Sequence, residues 1–207
     1  MSDGATRIYL LRHEEVDPAW HGRIYGALDV PLSAAGEASA LRTAAALAGH
    51  ELSAVISSGL KRTEHTAAHL RAERGLARID DPELRELERG DWAGLSVDEL
   101  ERRYPGAFAA WFADPAERSP PRGESLRDLQ ARVGPRLRHW SGLHPGAAIA
   151  LVTHGWVARV LLCEALHAPL ALAPRLDVRT GDIHVLRWNS RDGAPELEAF
   201  ALDRDAP

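Results

Sequence analysis

The sequence has very little cysteine and no long apolar segments, and each shortage excludes a class of protein. Its single cysteine, Cys163, rules out an internal disulfide framework and suits a reducing compartment. No apolar run approaches the ~20 residues of a membrane-spanning helix, and residues 1–15 lack a signal-peptide pattern. The formal net charge of −5 does not favour nucleic acid or an anionic membrane as a partner. We therefore expect a cytoplasmic globular protein with no membrane and no nucleic-acid partner.

Lysine is nearly absent as well. Of the 25 basic residues only Lys61 is a lysine, which leaves 24 arginines. Together with the heavy use of Ala, Gly and Pro, this ratio indicates a compositional bias of the coding sequence. An arginine in this chain therefore needs a positional argument before it is given a role.

Short apolar runs alternate with helical segments along the chain. Strands are predicted at 8–11, 54–56, 147–152 and 183–188. Helices are predicted at 33–47, 60–74, 125–143 and 156–166, with Ser33 and Ser58 as N-caps of the first two. A further short helix is predicted to begin at the capping box Ser96-Val97-Asp98-Glu99 and to end at Pro105-Gly106. This order predicts one α/β domain over residues 1–207, a three-layer α/β/α sandwich whose largely parallel sheet has an antiparallel edge strand. Residues around 95–123 are predicted to form an inserted helical and loop lid.

Three of the predicted strands end close to residues that can handle phosphate. The first is followed by Arg12 and His13, the third by His154 and Gly155, and Arg62 lies one turn into the helix after the second. Because ligands bind at the carboxyl ends of parallel strands, these residues should meet at one edge of the sheet. The planar guanidinium group of arginine and the N–H groups at a helix N-terminus can both donate hydrogen bonds to phosphoryl oxygens. An imidazole can carry a phosphoryl group covalently. A carboxylic acid must lie nearby to protonate the leaving alkoxide.

The chain resembles the histidine phosphatase superfamily, and within it the phosphoglycerate mutase-like and α-ribazole phosphatase-like branch. The similarity covers about residues 8–188 as blocks in the family's order, at 10–13, 26–36, 57–67, 84–94, 123–126 and 152–155. The resemblance implies that His13 accepts the phosphoryl group and that Glu86 protonates the leaving group and then activates water. His154 completes the catalytic set. The resemblance also implies a phosphate pocket formed by Arg12, Arg62, His154 and Gly155, with no metal and no cofactor.

Three positions depart from the family pattern. Glu14 stands in place of a glycine, and its carboxylate either repels phosphate or points away. Ala19 stands where many members have a phosphate-contacting asparagine, and Ala93 replaces a frequent glutamate. These departures bear on the rate and the substrate more than on the class of reaction.

Candidate contacts with the rest of the substrate are Arg23, Tyr25 and Arg122. The first two lie in the segment after His13, and Arg122 lies in the predicted lid, among residues that could read the leaving group. The lid's aromatic residues could equally pack beneath the loop.

The sequence favours a metal-independent phosphomonoesterase that hydrolyses a small phosphorylated metabolite through a phosphohistidine. A phosphoglycerate mutase-type phosphotransferase is the first alternative, although the family's mutases are longer, with an inserted segment and a C-terminal tail for which this chain lacks room. Glu14 and Ala19 motivate a second, a non-catalytic phosphate-binding relative. A metal-dependent phosphatase is disfavoured because His65 and His69, four apart on a helix, lack further ligands. Formation of a homodimer is left open.

Overall fold

The computed structural model describes residues 4–189 and 195–202. The strands are β1 (Thr6–Arg12), β2 (Ala54–Ser57), β3 (Ile79–Asp80), β4 (Ala148–Thr153), β5 (Ile183–Trp188) and β6 (Pro195–Ala199). The α-helices are α1 (Ala34–Ala46), α2 (Lys61–Ala72), α3 (Val97–Arg103), α4 (Ala107–Ala113), α5 (Leu126–Leu143) and α6 (Gly155–Ala165). Short 3₁₀ helices lie at Pro18–Trp20, Pro82–Leu84, Gly90–Trp92 and Leu170–Arg175.

The strands form one sheet in the order β3-β2-β4-β1-β5-β6. The first four run parallel to one another, whereas β5 pairs antiparallel with β1, and β6 antiparallel with β5. The predicted sheet is therefore confirmed, with two additions. The antiparallel edge consists of two strands, because 195–199 pairs with β5, and the two-residue β3 extends the opposite edge.

Helices cover both faces of the sheet, which confirms the three-layer arrangement. Ile8 and Leu10 of β1 belong to the apolar cluster that includes residues of α5 and α6. Tyr9 and Leu11 point to the opposite face and pack in the cluster that includes residues of α1 and α2. Side chains alternate between the two faces of a strand, so a strand covered on both faces appears in the sequence as a continuous apolar run.

The helix caps agree with the sequence at two of the three predicted positions. Ser33 accepts a bond of 2.9 Å from the Gly36 amide, and Ser96 forms a capping box at the start of α3. The prediction for Ser58 is wrong: the N-cap of α2 is Leu60, with no side-chain cap. The Ser58 hydroxyl is instead hydrogen-bonded to His154 and Thr63.

The segment predicted as a lid contains α3 and α4, joined by Tyr104, Pro105 and Gly106. Within residues 4–189 and 195–202, no helix combines the length and the apolar character needed to cross a membrane.

Candidate active site

Two neighbouring parallel strands deliver the two histidines side by side. Arg12 ends β1 opposite Thr153, which ends β4. The His13 amide continues the ladder by donating to the Thr153 carbonyl at 3.0 Å. The rings of His13 and His154 consequently lie 5.3 Å apart between centroids, at the carboxyl edge of the sheet, where the sequence places them.

His13 is held as a neutral imidazole with one defined tautomer. Its Nδ1 lies 2.7 Å from the Glu14 carbonyl oxygen. A carbonyl can only accept, so Nδ1 carries the proton and Nε2 keeps its lone pair. Burial, and then the charges of Arg62 and Arg12, hold the pKa of His13 well below its usual value.

Arg62 is fully buried and is fixed by three hydrogen bonds. Its Nε donates to His154 Nδ1 at 3.2 Å, its Nη1 to the Leu28 carbonyl at 2.6 Å, and its Nη2 to the Gly26 carbonyl at 2.8 Å. A guanidinium has five N–H groups, so these bonds leave two of them unused.

Arg12 has more of its donors available. Its Nη1 donates to the Val178 carbonyl at 2.7 Å. Its Nε is buried and has no hydrogen-bond partner in the part of the chain that the structure describes. This group lies next to the start of α6, where a β-carbon at Gly155 would be in ordinary van der Waals contact with Arg12 Nε, at 3.4 Å.

A chain of hydrogen bonds anchors His154 to the start of α2. Because His154 Nδ1 accepts from Arg62, its Nε2 carries the proton and donates to Ser58 Oγ at 2.8 Å. Ser58 bonds to Thr63 Oγ1 at 2.9 Å, and Thr63 donates to the Leu60 carbonyl at 2.8 Å. Burial, and then Arg62, hold the pKa of His154 well below its usual value. The two histidines therefore share one electrostatic environment.

Glu86 approaches the same edge from the loop after β3. Its carboxylate accepts from the Trp156 amide in the first turn of α6, at 3.1 and 3.3 Å, and from the Leu87 amide at 2.9 Å. The positive end of the helix dipole favours a carboxylate there. Arg132 supports this loop by donating to the carbonyls of Glu83 and Arg85 at 2.6 and 3.0 Å.

The Glu14 carboxylate is engaged by another element. Its Oε1 accepts a hydrogen bond from Thr43 Oγ1 on α1, and both side chains are buried. Of the two alternatives for this residue, the structure favours the one in which the carboxylate points away from the phosphate pocket. Ala19 lies exposed in the first 3₁₀ helix.

The three candidate substrate contacts are in different surroundings. The Tyr25 ring lies 5.3 Å from the Arg62 guanidinium, next to the pocket. Arg23 donates to the Gly94 carbonyl at 2.8 Å and pairs with Glu99 at 3.1 Å. The Arg122 side chain is 84% exposed and pairs with Asp91.

His65 and His69 contact each other on α2, with their Nε2 atoms 3.4 Å apart. Across the described ranges, no group of three or more His, Cys, Asp or Glu side chains is arranged to hold a metal ion.

Sequence reasoning missed one buried residue beside the site, Arg89. Its guanidinium lies 4.4 Å from the Trp111 ring centroid and 5.6 Å from that of Trp156. Burial lowers the pKa of Arg89 to about 10, and Glu86 acts in the opposite direction. Nothing in the sequence separates Arg89 from the other arginines, because its burial depends on α4 folding over it.

Paired histidines, buried arginines and a carboxylate at the carboxyl edge of a parallel sheet define an α/β enzyme that handles phosphate. The sequence model of the histidine phosphatase superfamily (branch 1) matches residues 8–201. The chain belongs to this superfamily.

Individual relatives agree with this assignment. Glucosyl-3-phosphoglycerate phosphatase from Mycobacterium tuberculosis is 34% identical over 180 residues, which cover 83% of this chain and 80% of that protein. Phosphoserine phosphatase 1 from Hydrogenobacter thermophilus is 31% identical over 166 residues, 80% and 79% of the two chains. The structure of Bacillus stearothermophilus YhfR has a TM-score of 0.89 at 28% identity, covering 96% and 98%. Phosphoglycerate mutase-like proteins and α-ribazole phosphatases also match, in agreement with the resemblance read from the sequence. The protein is a phosphatase.

Proposed function

We propose that this phosphatase hydrolyses a small phosphomonoester in two steps, with His13 as the phosphoryl acceptor. The supporting observation is the His13–Glu14 hydrogen bond, which leaves a lone pair on Nε2 of a neutral imidazole beside two arginines. In the first step, Nε2 bonds to phosphorus while the ester P–O bond breaks. In the second, water bonds to phosphorus while the P–N bond breaks.

Glu86 supplies and then recovers the proton in this scheme. As a carboxylic acid it protonates the departing alkoxide, and as a carboxylate it takes a proton from the attacking water. Its bond to the Trp156 amide, which follows Gly155 in the first turn of α6, supports this role. A single group can therefore serve both steps without a net change in its protonation.

The arginines stabilise the charge that spreads over the phosphoryl oxygens in the transition state. Arg62 is oriented beforehand by its bonds to the Gly26 and Leu28 carbonyls, and Arg12 by its bond to the Val178 carbonyl. Donors that are already aimed at the reacting group need little reorganisation during the reaction.

The substrate class we propose is a small phosphorylated metabolite. Two relatives are named for such compounds, glucosyl-3-phosphoglycerate and phosphoserine. Action without a metal or cofactor, a cytoplasmic location and transfer to water rather than to a second metabolite stay predictions. The experiment on His13 that follows also tests metal independence and transfer to water.

The test is hydrolysis of p-nitrophenyl phosphate in excess chelator by the wild type and by His13→Ala. We expect turnover by the wild type and a loss of at least about 10³-fold in kcat in the variant. His139→Ala, which removes an exposed histidine on α5, is the matched control and should retain activity. Phosphate trapped on the wild type under alkaline quench should be acid-labile and absent from His13→Ala.

Each contrary outcome has a distinct meaning. Full activity of His13→Ala would overturn the nucleophile assignment. Loss of activity in chelator would indicate a metal-dependent phosphatase. Transfer of the trapped phosphate to a phosphoglycerate rather than to water would indicate a mutase, and binding of phosphate without turnover of any monoester would indicate a non-catalytic relative.

A further inference from the structure

Arg89 is a buried cation that lacks the partner such a group needs. The residue is 7% exposed. Its Nη1 atom is buried and has no hydrogen-bond partner within residues 4–189 and 195–202. A charged side chain that loses its water without gaining a partner is strongly disfavoured, and buried arginines in proteins are normally paired. The site is therefore suited to an anion that arrives with a ligand.

Two tryptophans form the walls around this guanidinium. The Trp111 ring from α4 and the Trp156 ring from α6 meet nearly perpendicular, at 86° with centroids 5.3 Å apart. Aromatic rings next to an arginine hold the guanidinium plane through cation–π contact while leaving its N–H edge available. The Arg89 guanidinium thus has aromatic rings on two sides.

The position of Arg89 relative to the reacting groups follows from two shared neighbours. Trp156 contacts Arg89 through its ring, and its amide binds the Glu86 carboxylate. A β-carbon added at Gly26 would lie 2.6 Å from Arg89 Cγ, and the Gly26 carbonyl is an acceptor of Arg62. Arg89 therefore lies between the loop that holds Arg62 and the carboxylate proposed to protonate the leaving group.

Arg89 has fewer acidic neighbours than Arg62 or Arg159, two other guanidinium groups near Trp156 and the two histidines. Arg62 is influenced by Glu86 and Asp29, and Arg159 by Glu86 and Asp177. Among the side chains that the structure describes, Glu86 is the one charged group that acts on Arg89. An anionic group on the substrate would give Arg89 a second acidic neighbour, as Arg62 and Arg159 already have.

We propose that Arg89, between Trp111 and Trp156, binds a second oxyanion on the leaving group of the substrate, a carboxylate or a second phosphate a few bonds from the ester. The inference rests on the proposed function, because it assumes that a leaving group departs beside Glu86. Arg89 then determines specificity, and His13 and Glu86 carry out the reaction.

The test compares substrates that differ by one anionic group. O-phosphoserine and O-phosphoethanolamine differ by a carboxylate, and the bisphosphate and monophosphate of propane-1,3-diol differ by a phosphate. In at least one pair, the wild type should show a higher kcat/KM for the member with the additional anionic group. The pair that shows this preference identifies the oxyanion as a carboxylate or a phosphate. Arg89→Met should reduce that preference by about 10- to 100-fold, while kcat/KM for p-nitrophenyl phosphate should change less than about threefold.

Control variants separate this role from a structural one. Arg103→Met removes an exposed arginine on α3 and should leave every preference unchanged, whereas Arg89→Lys should retain part of it. Because methionine replaces an unpaired buried charge by an apolar chain of similar length, the melting temperature of Arg89→Met should stay level or rise. A fall in melting temperature with no change in preference would show a structural cation–π contact and overturn the proposal.

Two further outcomes would overturn it. One is an unchanged preference in Arg89→Met for both pairs, with aryl phosphatase activity intact. The other is an equal loss on all substrates with a displaced pH profile, which would mean that Arg89 acts only through Glu86. Binding of O-phosphoserine and O-phosphoethanolamine to His13→Ala and to His13→Ala/Arg89→Met tests the subsite without turnover. A failure of the phosphatase scheme is therefore distinguishable from a failure of the subsite.

Discussion

In the proposed mechanism Glu86 acts as an acid in the first step and as a base in the second, so its effect on the rate depends on the leaving group. An alkoxide leaves only with a proton, whereas p-nitrophenolate leaves almost without one. The Glu86 carboxylate is already oriented by the amides of Leu87 and Trp156. Replacing one oxygen by an amide nitrogen would keep the shape of the side chain and remove the proton transfer.

For Glu86→Gln we expect kcat/KM for an alkyl phosphate to fall by about 10²- to 10⁴-fold. The fall for p-nitrophenyl phosphate should be clearly smaller, because the first step then needs little protonation. Steady-state kinetics on both substrates checks this, with Glu88→Gln, an exposed neighbour, as the control. Equal losses on the two substrates would mean that Glu86 is not the general acid.

The sequence predicts the positions of the two histidines but not the burial of Arg89. The positions of His13 and His154 follow from the rule that parallel strands present their carboxyl ends at one edge, and the structure places them there. The burial of Arg89 depends on Trp111, which is 22 positions further along the chain and lies on α4. No local pattern in an arginine-rich sequence contains that information.

At the scale of elements, α6 begins at the proposed phosphate pocket, and its first residue is a glycine next to an arginine side chain. A β-carbon at Gly155 would lie 3.0 Å from Arg159 Nη1, closer than an ordinary contact, and 3.4 Å from Arg12 Nε, which is an ordinary contact. The Arg159 guanidinium is the end of a flexible side chain, so it can shift by a few tenths of an ångström at little cost in stability. The shift would occur beside Arg12, whose charge acts on Arg159.

Gly155→Ala should therefore separate activity from stability. We expect kcat/KM for p-nitrophenyl phosphate to fall by about tenfold, because small misplacements of catalytic groups are costly. The free energy of unfolding should change by no more than about 1 kcal/mol, in the range of the helix preference of alanine over glycine. Gly142→Ala on α5, where an added β-carbon meets no atom within 4 Å, should leave kcat/KM unchanged. Unaltered kcat/KM in Gly155→Ala would show that the reaction tolerates a shift of Arg159 next to the pocket.

The element predictions succeeded where the signal is local. The continuous apolar runs gave β1, β2 and β4, and the Ser96 capping box starts α3. The prediction that Ser58 is the N-cap of α2 is wrong because its hydroxyl is hydrogen-bonded to His154, which is 96 positions away in the sequence. The edge strand β6, Pro-Glu-Leu-Glu-Ala at 195–199, has little apolar character and is a strand only because β5 offers it a free edge.

At the scale of the whole molecule, three buried histidines link stability to pH. His13, His154 and His184 are almost completely inaccessible, and burial is the main cause that lowers the pKa of each. In the unfolded chain they bind protons below about pH 6.5, whereas the folded protein keeps them neutral to lower pH. The unfolded state then holds more protons, so the free energy of unfolding rises with pH in this window and falls on acidification.

We expect the free energy of unfolding, measured by urea denaturation, to fall between pH 6.5 and pH 5 by up to about 1.4 kcal/mol per pH unit for each such histidine. His184→Gln, which removes the one that lies outside the phosphate pocket, should give a shallower slope. His139→Gln, at an exposed position, should give the slope of the wild type. A wild-type slope in His184→Gln would show that His184 titrates normally in the folded protein.

The bond between Glu14 and Thr43 has a consequence for how this sequence diverged. An acidic residue next to His13, the proposed nucleophile, is compatible with the pocket because a hydroxyl on α1 holds its carboxylate. Loss of either the carboxylate or the hydroxyl removes that bond, so the two positions should be inherited together. Among homologous genes, glutamate at position 14 should then co-occur with serine or threonine at position 43, and a search pattern that insists on glycine after Arg-His would overlook this lineage.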